Sequence, residues 1–346
     1  MKRLLARLDE FKSKFAGSSV FALFRILISG GLIAAAIYLA HPRKIWDVLS
    51  AMESWPLVMA CFLFAVGQVI TALRWQIVLR SMRGNPPGIW YLVGLIHIGL
   101  FFNFFLPSTV GGDVVRAEMS KSYCGGRTGS YSAVLFDRFS AFIAVVLIGT
   151  VALVCSYAGI GWFDWQVALL GLLFILVSVL VFVVLETSFA NRLLNRLRRG
   201  PIVKPMTVLR NGLALLQACM SDRSTLVFIV VLSLVIQTLM VVVVYLLGVG
   251  LDLQGGILFY FVAIPIIILV TLLPISLNGL GVREVMFVVL FAKVGVPSEM
   301  ALALSFSWTL ILVLFSLFGG LCLQFPSVYR YFEDRSEQCQ FRLGRQ

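Results

Sequence analysis

Two short stretches decide how this chain is read: LPSTVGGDVVRAE (106–118) and LPISLNGLGVRE (273–284). Each sets proline, glycines, a carboxylate and an arginine into a sequence that is 60 % hydrophobic and only 13 % charged. Mean hydropathy is +0.99. Crossing a hydrocarbon core of ~30 Å takes about 20 apolar residues, and the 346-residue chain has several runs that long. A soluble globular domain is excluded; the fold class is an all-α polytopic membrane protein. Full-length spans fall at 20–40, 56–79, 131–157, 165–186, 225–248 and 300–325. Two weaker apolar pieces, 89–106 and 257–273, lead straight into the two stretches. The run at 20–40 has no small-residue cleavage site, so it reads as a retained span rather than a signal peptide.

The net charge of +12 gathers where spans end, which is the positive-inside pattern and not a nucleic-acid face. It places the N-terminal segment 1–19, the end of the second span at Arg80 and Arg83, the linker 187–224 and the tail 326–346 on the cytoplasmic side of a bacterial inner membrane. The connections 158–164 and 249–256 carry no lysine or arginine. In the linker, leucines alternate with Arg192, Arg196 and Arg199, which suits a segment lying along the inner surface. Six cysteines without CxxC spacing and two histidines suggest neither a disulfide framework nor a metal centre, and no cofactor is expected.

Parity then constrains the interruptions. If 80–88 and 187–224 share a side, 89–130 must begin and end on that side, and 257–295 must begin and end on the other. Asp113, Arg116, Glu118, Lys121 and Arg127 make a full crossing by 112–130 implausible. Both pieces are therefore expected to be re-entrant hairpins, one in a first half at 20–186 and one in a second at 225–325. Non-helical backbone at that depth is tolerated only inside protein or against a watery cavity.

Laying Pro107 over Pro274 matches Gly112 to Gly279, Val115 to Val282 and Arg116 to Arg283, so P-x(4)-G-x(2)-V-R occurs twice. Entry from opposite faces is expected to make the copies an inverted repeat, the plan on which many transporters hold an anion at broken helices. Pro107, Gly111, Gly112, Pro274, Gly279 and Gly281 would break the helices and expose backbone N–H groups; Arg116 and Arg283 would grip phosphate or carboxylate. Asp113 and Glu284 would set charge balance. Asp137 and Arg138, two turns into the next span, either pair with the hairpin or anchor at the interface. Asn103 is either a cavity hydrogen-bonder or a helix end. His97 reads as a packed histidine, Arg74 and Trp75 as an interface anchor, and Arg283 with Glu284 as a loose pair because helix neighbours do not face each other.

NFFLPSTVGGDVVRAE (103–118), AVLFDRFSAF (133–142) and LPISLNGLGVRE (273–284) resemble the signatures of the lysylphosphatidylglycerol synthase transmembrane region, the flippase-like module of multiple peptide resistance factor proteins. The resemblance runs from about 20 to 325. It implies movement of lipids with charged or glycosylated headgroups between leaflets. With about 21 residues after the last span, the family's soluble synthase domain is not expected. Asp113 stands where glutamate is often found, and Trp308 where an arginine can follow the second copy. The leading expectation is a flippase for an anionic or phosphate-bearing lipid, aminoacylated, glycosylated or polyprenyl-linked, working by alternating access. The alternatives are a secondary transporter of a small soluble anion and an integral-membrane transferase on lipid-linked substrates. The third trails, because no nucleophile–base pair is evident and an enzyme is not expected. Partners would be membrane lipids and a separately encoded lipid-modifying enzyme, with no nucleic acid.

Overall fold

The computed structural model describes residues 42–81, 86–105, 111–124, 126–159, 223–253, 255–272 and 276–323, with a scatter of helical positions between 27 and 38. The expected spans at 20–40 (in most positions) and 165–186, nearly all of the linker, the tail, Pro107 and Pro274 lie outside the described residues. Everything described is helical or turn. In chain order the helices are α1 (Pro42–Ser50), α2 (Ser54–Ser81), α3 (Ile89–Phe105), α4 (Gly111–Ser120), α5 (Arg127–Gly159), α6 (Arg223–Gly250), α7 (Ile257–Leu272), α8 (Val282–Ala292) and α9 (Ser298–Cys322).

Length sorts them. The helices α2, α5, α6 and α9 are long and apolar enough to cross a membrane. At 1.5 Å per residue α3 and α7 reach only about 25 Å, and α4 and α8 about 15 Å. Each short apolar helix is followed by a break and a shorter, more polar helix that turns back along it. In the first hairpin the backbones touch: a methyl at Gly112 would overlap the Gly99 carbonyl oxygen. The Gly112 N–H, one of the free donors at the start of α4, donates to Asn103 Oδ1 on α3 at 2.8 Å. In the second, Asn278 (φ 48°), Gly279 (φ 76°) and Gly281 (φ 84°) turn the chain through the left-handed region before α8 begins. There the Gly281 N–H donates to the Glu284 carboxylate three residues on.

The long helices α2 and α6 pack along each other. Glu53 N–H donates to the Gly250 carbonyl (3.0 Å), Gly67 lies beside Met240, and Arg74 reaches Ser233 (2.9 Å). Numbers rise along one helix as they fall along the other, so the pair is antiparallel. The short helices exchange partners: α3 packs on α9 and α7 on α5. The α3–α9 contact is close enough that a methyl on Gly319 would overlap the His97 carbonyl. The first helix of each hairpin thus packs on the long helix that follows the other hairpin.

Two apolar clusters result. One, around Trp75, Leu79, Leu92, Leu95 and Ala133, surrounds the first hairpin; the other, around Phe64, Leu247, Tyr260, Phe287 and Leu302, surrounds the second. Arg80 of α2 and Ser224 and Thr225 of α6 line one cleft, so these helix ends share a side. Gly250, Glu53, Lys44 and Glu299 gather at the other, where Lys44 approaches Glu299 at 3.8 Å. Trp46 and Trp55 are exposed near this second end and Trp90 near the first, as interfacial aromatics are. Helix α1 is not foreseen in the sequence; it is a short amphipathic turn of chain whose Ile45 is buried and which packs on α9.

The zero clearance at Gly112 gives a direct test. Gly112→Ala is expected to lose about 1–3 kcal/mol, as overpacking does, while Gly94→Ala in open space is expected to lose nothing. Thermal unfolding of the two variants in detergent measures the difference.

Candidate functional site

Five charged side chains from three helices meet beside the first hairpin. Asp137 on α5 is fully buried between two arginines. Arg74 on α2 donates to its Oδ1 through Nε at 3.0 Å, approaches it with a terminal nitrogen at 2.8 Å, and uses the other on Ser233 Oγ of α6. Arg116 on α4 reaches Oδ2 at 3.3 Å. Asp113, in the first turn of α4, takes two near-parallel bonds from Arg138 at 2.8 and 2.7 Å and lies 3.6 Å from Arg116. The Arg116 guanidinium also sits over the Trp75 ring, 4.2 Å from its centroid.

Burial in this cluster is uneven. Arg74, Arg116 and Asp137 are sealed, whereas half of the Arg138 side chain is exposed. Arg138 lies eleven residues into α5, roughly 16 Å from its start. A guanidinium facing hydrocarbon there would cost about 2.5–3.5 kcal/mol even on the lenient insertion scales. Its open side is the exposed edge of the cluster. Among the described residues, Arg116 Nε and Trp75 Nε1 have no hydrogen-bond partner.

The second centre is smaller and closed. Arg283 and Glu284 are both buried, and Arg283 donates to Glu284 Oε1 (3.1 Å) and to Thr309 Oγ1 of α9 (2.6 Å). Ser305, one turn before Thr309, donates to the same Glu284 oxygen at 3.1 Å, while the other oxygen holds the Gly281 N–H. The expectation of a loose Arg283–Glu284 pair is corrected: at the first turn of α8 both side chains fold toward α9 and meet there. Trp308 packs edge-on against Phe64, 5.7 Å between centroids, so Ser305 and Thr309 are the residues of this span that serve the hairpin.

The structure brings Asp113, Arg116, Asp137 and Arg138 into one cluster and sets Asn103 and Gly112 at its hairpin; Gly111 is buried at the start of α4. Arg283 and Glu284, with Gly279 and Gly281, form the other centre. His97 is packed, bonding the Val93 carbonyl and lying against Phe315 and Phe318. Reading Arg74 and Trp75 as an interface anchor is overturned: both are buried, because Asp137 and Ser233 draw the guanidinium inward. One signal was available, since Arg74 lies six residues inside Arg80 and hence roughly 9 Å deeper. Ser305 and Thr309 had another, the i, i+4 spacing that puts two hydroxyls on one helix face.

A bundle of spans with two broken helical hairpins, each carrying a buried arginine, is a polytopic membrane protein. The match to the lysylphosphatidylglycerol synthase TM region extends over residues 22–320, and the chain belongs to that family. It is also similar to a UPF0104 membrane protein of Methanothermobacter thermautotrophicus, 21 % identical over 299 residues covering 80 % of this chain and 87 % of that one. No solved structure matches the chain.

Because Asp137 compensates two buried guanidiniums, Asp137→Asn strands both. The expected loss is about 3–5 kcal/mol, as for one partner removed from a buried pair. A double-mutant cycle with Arg74→Gln, followed by thermal unfolding, should return a coupling above about 1 kcal/mol.

Proposed function

We propose that this protein moves an anionic or phosphate-bearing lipid between the leaflets of the inner membrane, as a flippase-type transporter and not as an enzyme. The observation that carries the reading is the arginine-rich cluster at the broken helix α3–α4, buried where a charge is costly unless it serves a ligand or a partner. In this reading 89–130 and 257–295 are re-entrant hairpins entering from opposite faces, with both termini cytoplasmic. Several features support it. As described, the paired helices of each hairpin are shorter than the four spans, α2 and α6 run antiparallel, and α3 and α7 exchange partners, as the arms of an inverted repeat would. Movement of one half against the other would then open the cluster to each side in turn. The half-exposed Arg138 supports a headgroup path beside α5.

Transport is tested by reconstituting the protein in liposomes and following a fluorescent anionic lipid to the outer leaflet by quenching. Arg116→Gln is expected to lower the rate about tenfold or more while the protein stays monodisperse. A wild-type rate equal to that of protein-free vesicles rejects the reading.

Topology is tested separately with single cysteines in a cysteine-free background and an impermeant maleimide. Gly88→Cys and Arg127→Cys should label from the cytoplasmic side, and Gly256→Cys and Ser298→Cys from the opposite side. Labelling of positions 88 and 127 from different sides would mean that 89–130 crosses the membrane.

A further inference from the structure

The transport reading does not say which centre meets the ligand or what charge the ligand bears. We infer that the first-hairpin cluster is the anion site, that it takes a group with one negative charge such as a phosphodiester, and that Asp113 is the resident counter-ion which the ligand displaces from Arg138. This rests on the reading that the chain handles anionic headgroups.

Charge is the first argument. Among the described residues, Arg74, Arg116 and Arg138 face Asp113 and Asp137, which leaves one positive charge uncompensated within the cluster. At the second centre Arg283 and Glu284 cancel. The sealed charges Arg74, Arg116, Asp113 and Asp137 balance, so the surplus sits on half-exposed Arg138, and an arriving monoanion brings the cluster to neutrality at that open edge. A dianion would overshoot and leave a surplus of the opposite sign.

Geometry is the second. Arg74 is engaged with both Asp137 and Ser233. Arg116 is held less fully: it is 95 % buried, counting from its 5 % exposure, and bonds Asp137 through one terminal nitrogen, yet its Nε has no acceptor among the described residues. Its two ion-pair contacts are long, at 3.3 and 3.6 Å. Arg138 presents the forked pair of N–H groups that matches carboxylate and phosphate alike, and Asp113 now fills that fork. Arg138 is also the open member of the cluster. A phosphodiester entering from that side takes the fork. Asp113, already near Arg116, then closes on the arginine that lacks a firm partner. It does so at the positive end of α4, where a carboxylate is stabilised. At the second centre Arg283 is tied to Glu284 and Thr309, and Glu284 to Ser305 and the Gly281 backbone; that ring latches α8 to α9.

The test uses the purified full chain in maltoside micelles at about pH 8.5 and three probes. Dioleoylphosphatidylmethanol is a lipid diester with one charge, and dimethyl phosphate is its soluble counterpart. Dioleoylphosphatidic acid is a monoester carrying about two charges, since phosphomonoesters lose the second proton near pH 6. Native mass spectrometry follows the lipids and calorimetry the soluble diester, with melting temperatures recorded for every variant.

Wild type is expected to prefer the diester lipid over phosphatidic acid by about tenfold. Arg138→Gln should weaken diester binding about tenfold or more, and Arg138→Lys, which keeps the charge but loses the fork, by less. Asp113→Asn removes the competitor and adds a second surplus charge; it should tighten diester binding and reverse the preference toward the dianion. Thr309→Val should lower the melting temperature and leave affinity unchanged. The inference is overturned if Asp113→Asn weakens the diester or keeps the wild-type preference, or if Thr309→Val weakens binding as much as Arg138→Gln. Dimethyl phosphate bound as tightly as the lipid upholds the site and assigns it to a soluble diester. Wild type that binds neither diester overturns the site itself. The expected binding pattern without leaflet transfer upholds the site and overturns the transport reading alone.

Discussion

Asp137 is the constraint on which the first half depends. A guanidinium at membrane depth is stable only when its charge is met at close range, and one carboxylate meets two of them here. Through Arg74 it fixes α2 against α5; through Arg116 it draws the polar helix α4 against the same surface; and through Arg74 to Ser233 it registers α6. Four helices are therefore aligned by one side chain. Apolar packing has no comparable directional preference within a hydrocarbon solvent, where a leucine is as well placed against lipid as against protein. Polar contacts set the register, and the apolar clusters fill in around it.

The two hairpins answer the same difficulty differently. Both must end an apolar helix inside the protein and satisfy the backbone donors that the break frees. The first does so with Asn103 and a backbone contact at Gly112, the second with left-handed residues and the Glu284 carboxylate. Once Glu284 serves the backbone and Arg283 together, little charge remains to be met, and hydroxyls from α9 suffice. In the first hairpin Asp113 makes no bond to its own backbone among the described residues. It is left facing two arginines, and that difference makes one copy electrostatically open and the other closed.

Much of this was legible in the sequence because it follows from composition and length. Spans read from apolar runs coincide with α2, α5, α6 and α9 to within a few residues, and the shortness of 89–106 and 257–273 marked them as different. Asp137 and Arg138 were visible as charges two turns into a span, open to pairing with the hairpin or to anchoring at the interface. Three features were not. Arg74 follows an apolar run and precedes two more arginines, so its local pattern is that of a span end; only the distant Asp137 and Ser233 make it internal. The Arg283–Glu284 pairing was misjudged from helix geometry. That geometry applies within a helix, whereas a residue at the first turn beside a break has room for its side chain to fold back. Helix α1 escaped because nine residues of mixed polarity are stabilised by contact with α9 and not by their own periodicity.

The exchange of partners between halves bears on how such a chain comes to hold charge inside a membrane. Helix α4 and its three nearest charges have no stable place in lipid alone, and α3, which carries them, lies largely against α9 near the end of the described chain. The Gly319 contact with the His97 carbonyl allows no filler between them. The first hairpin is thus completed only when the last described span is in place, and α7 equally waits on α5. Until then the arginines are tolerable only where water still reaches them. A site assembled this way couples its charge balance to the relative position of the two halves. In the proposed transport cycle, a displacement of α9 would be felt at α3 and, through the contacts of Gly99 and Asn103 with α4, at Asp113 and Arg116.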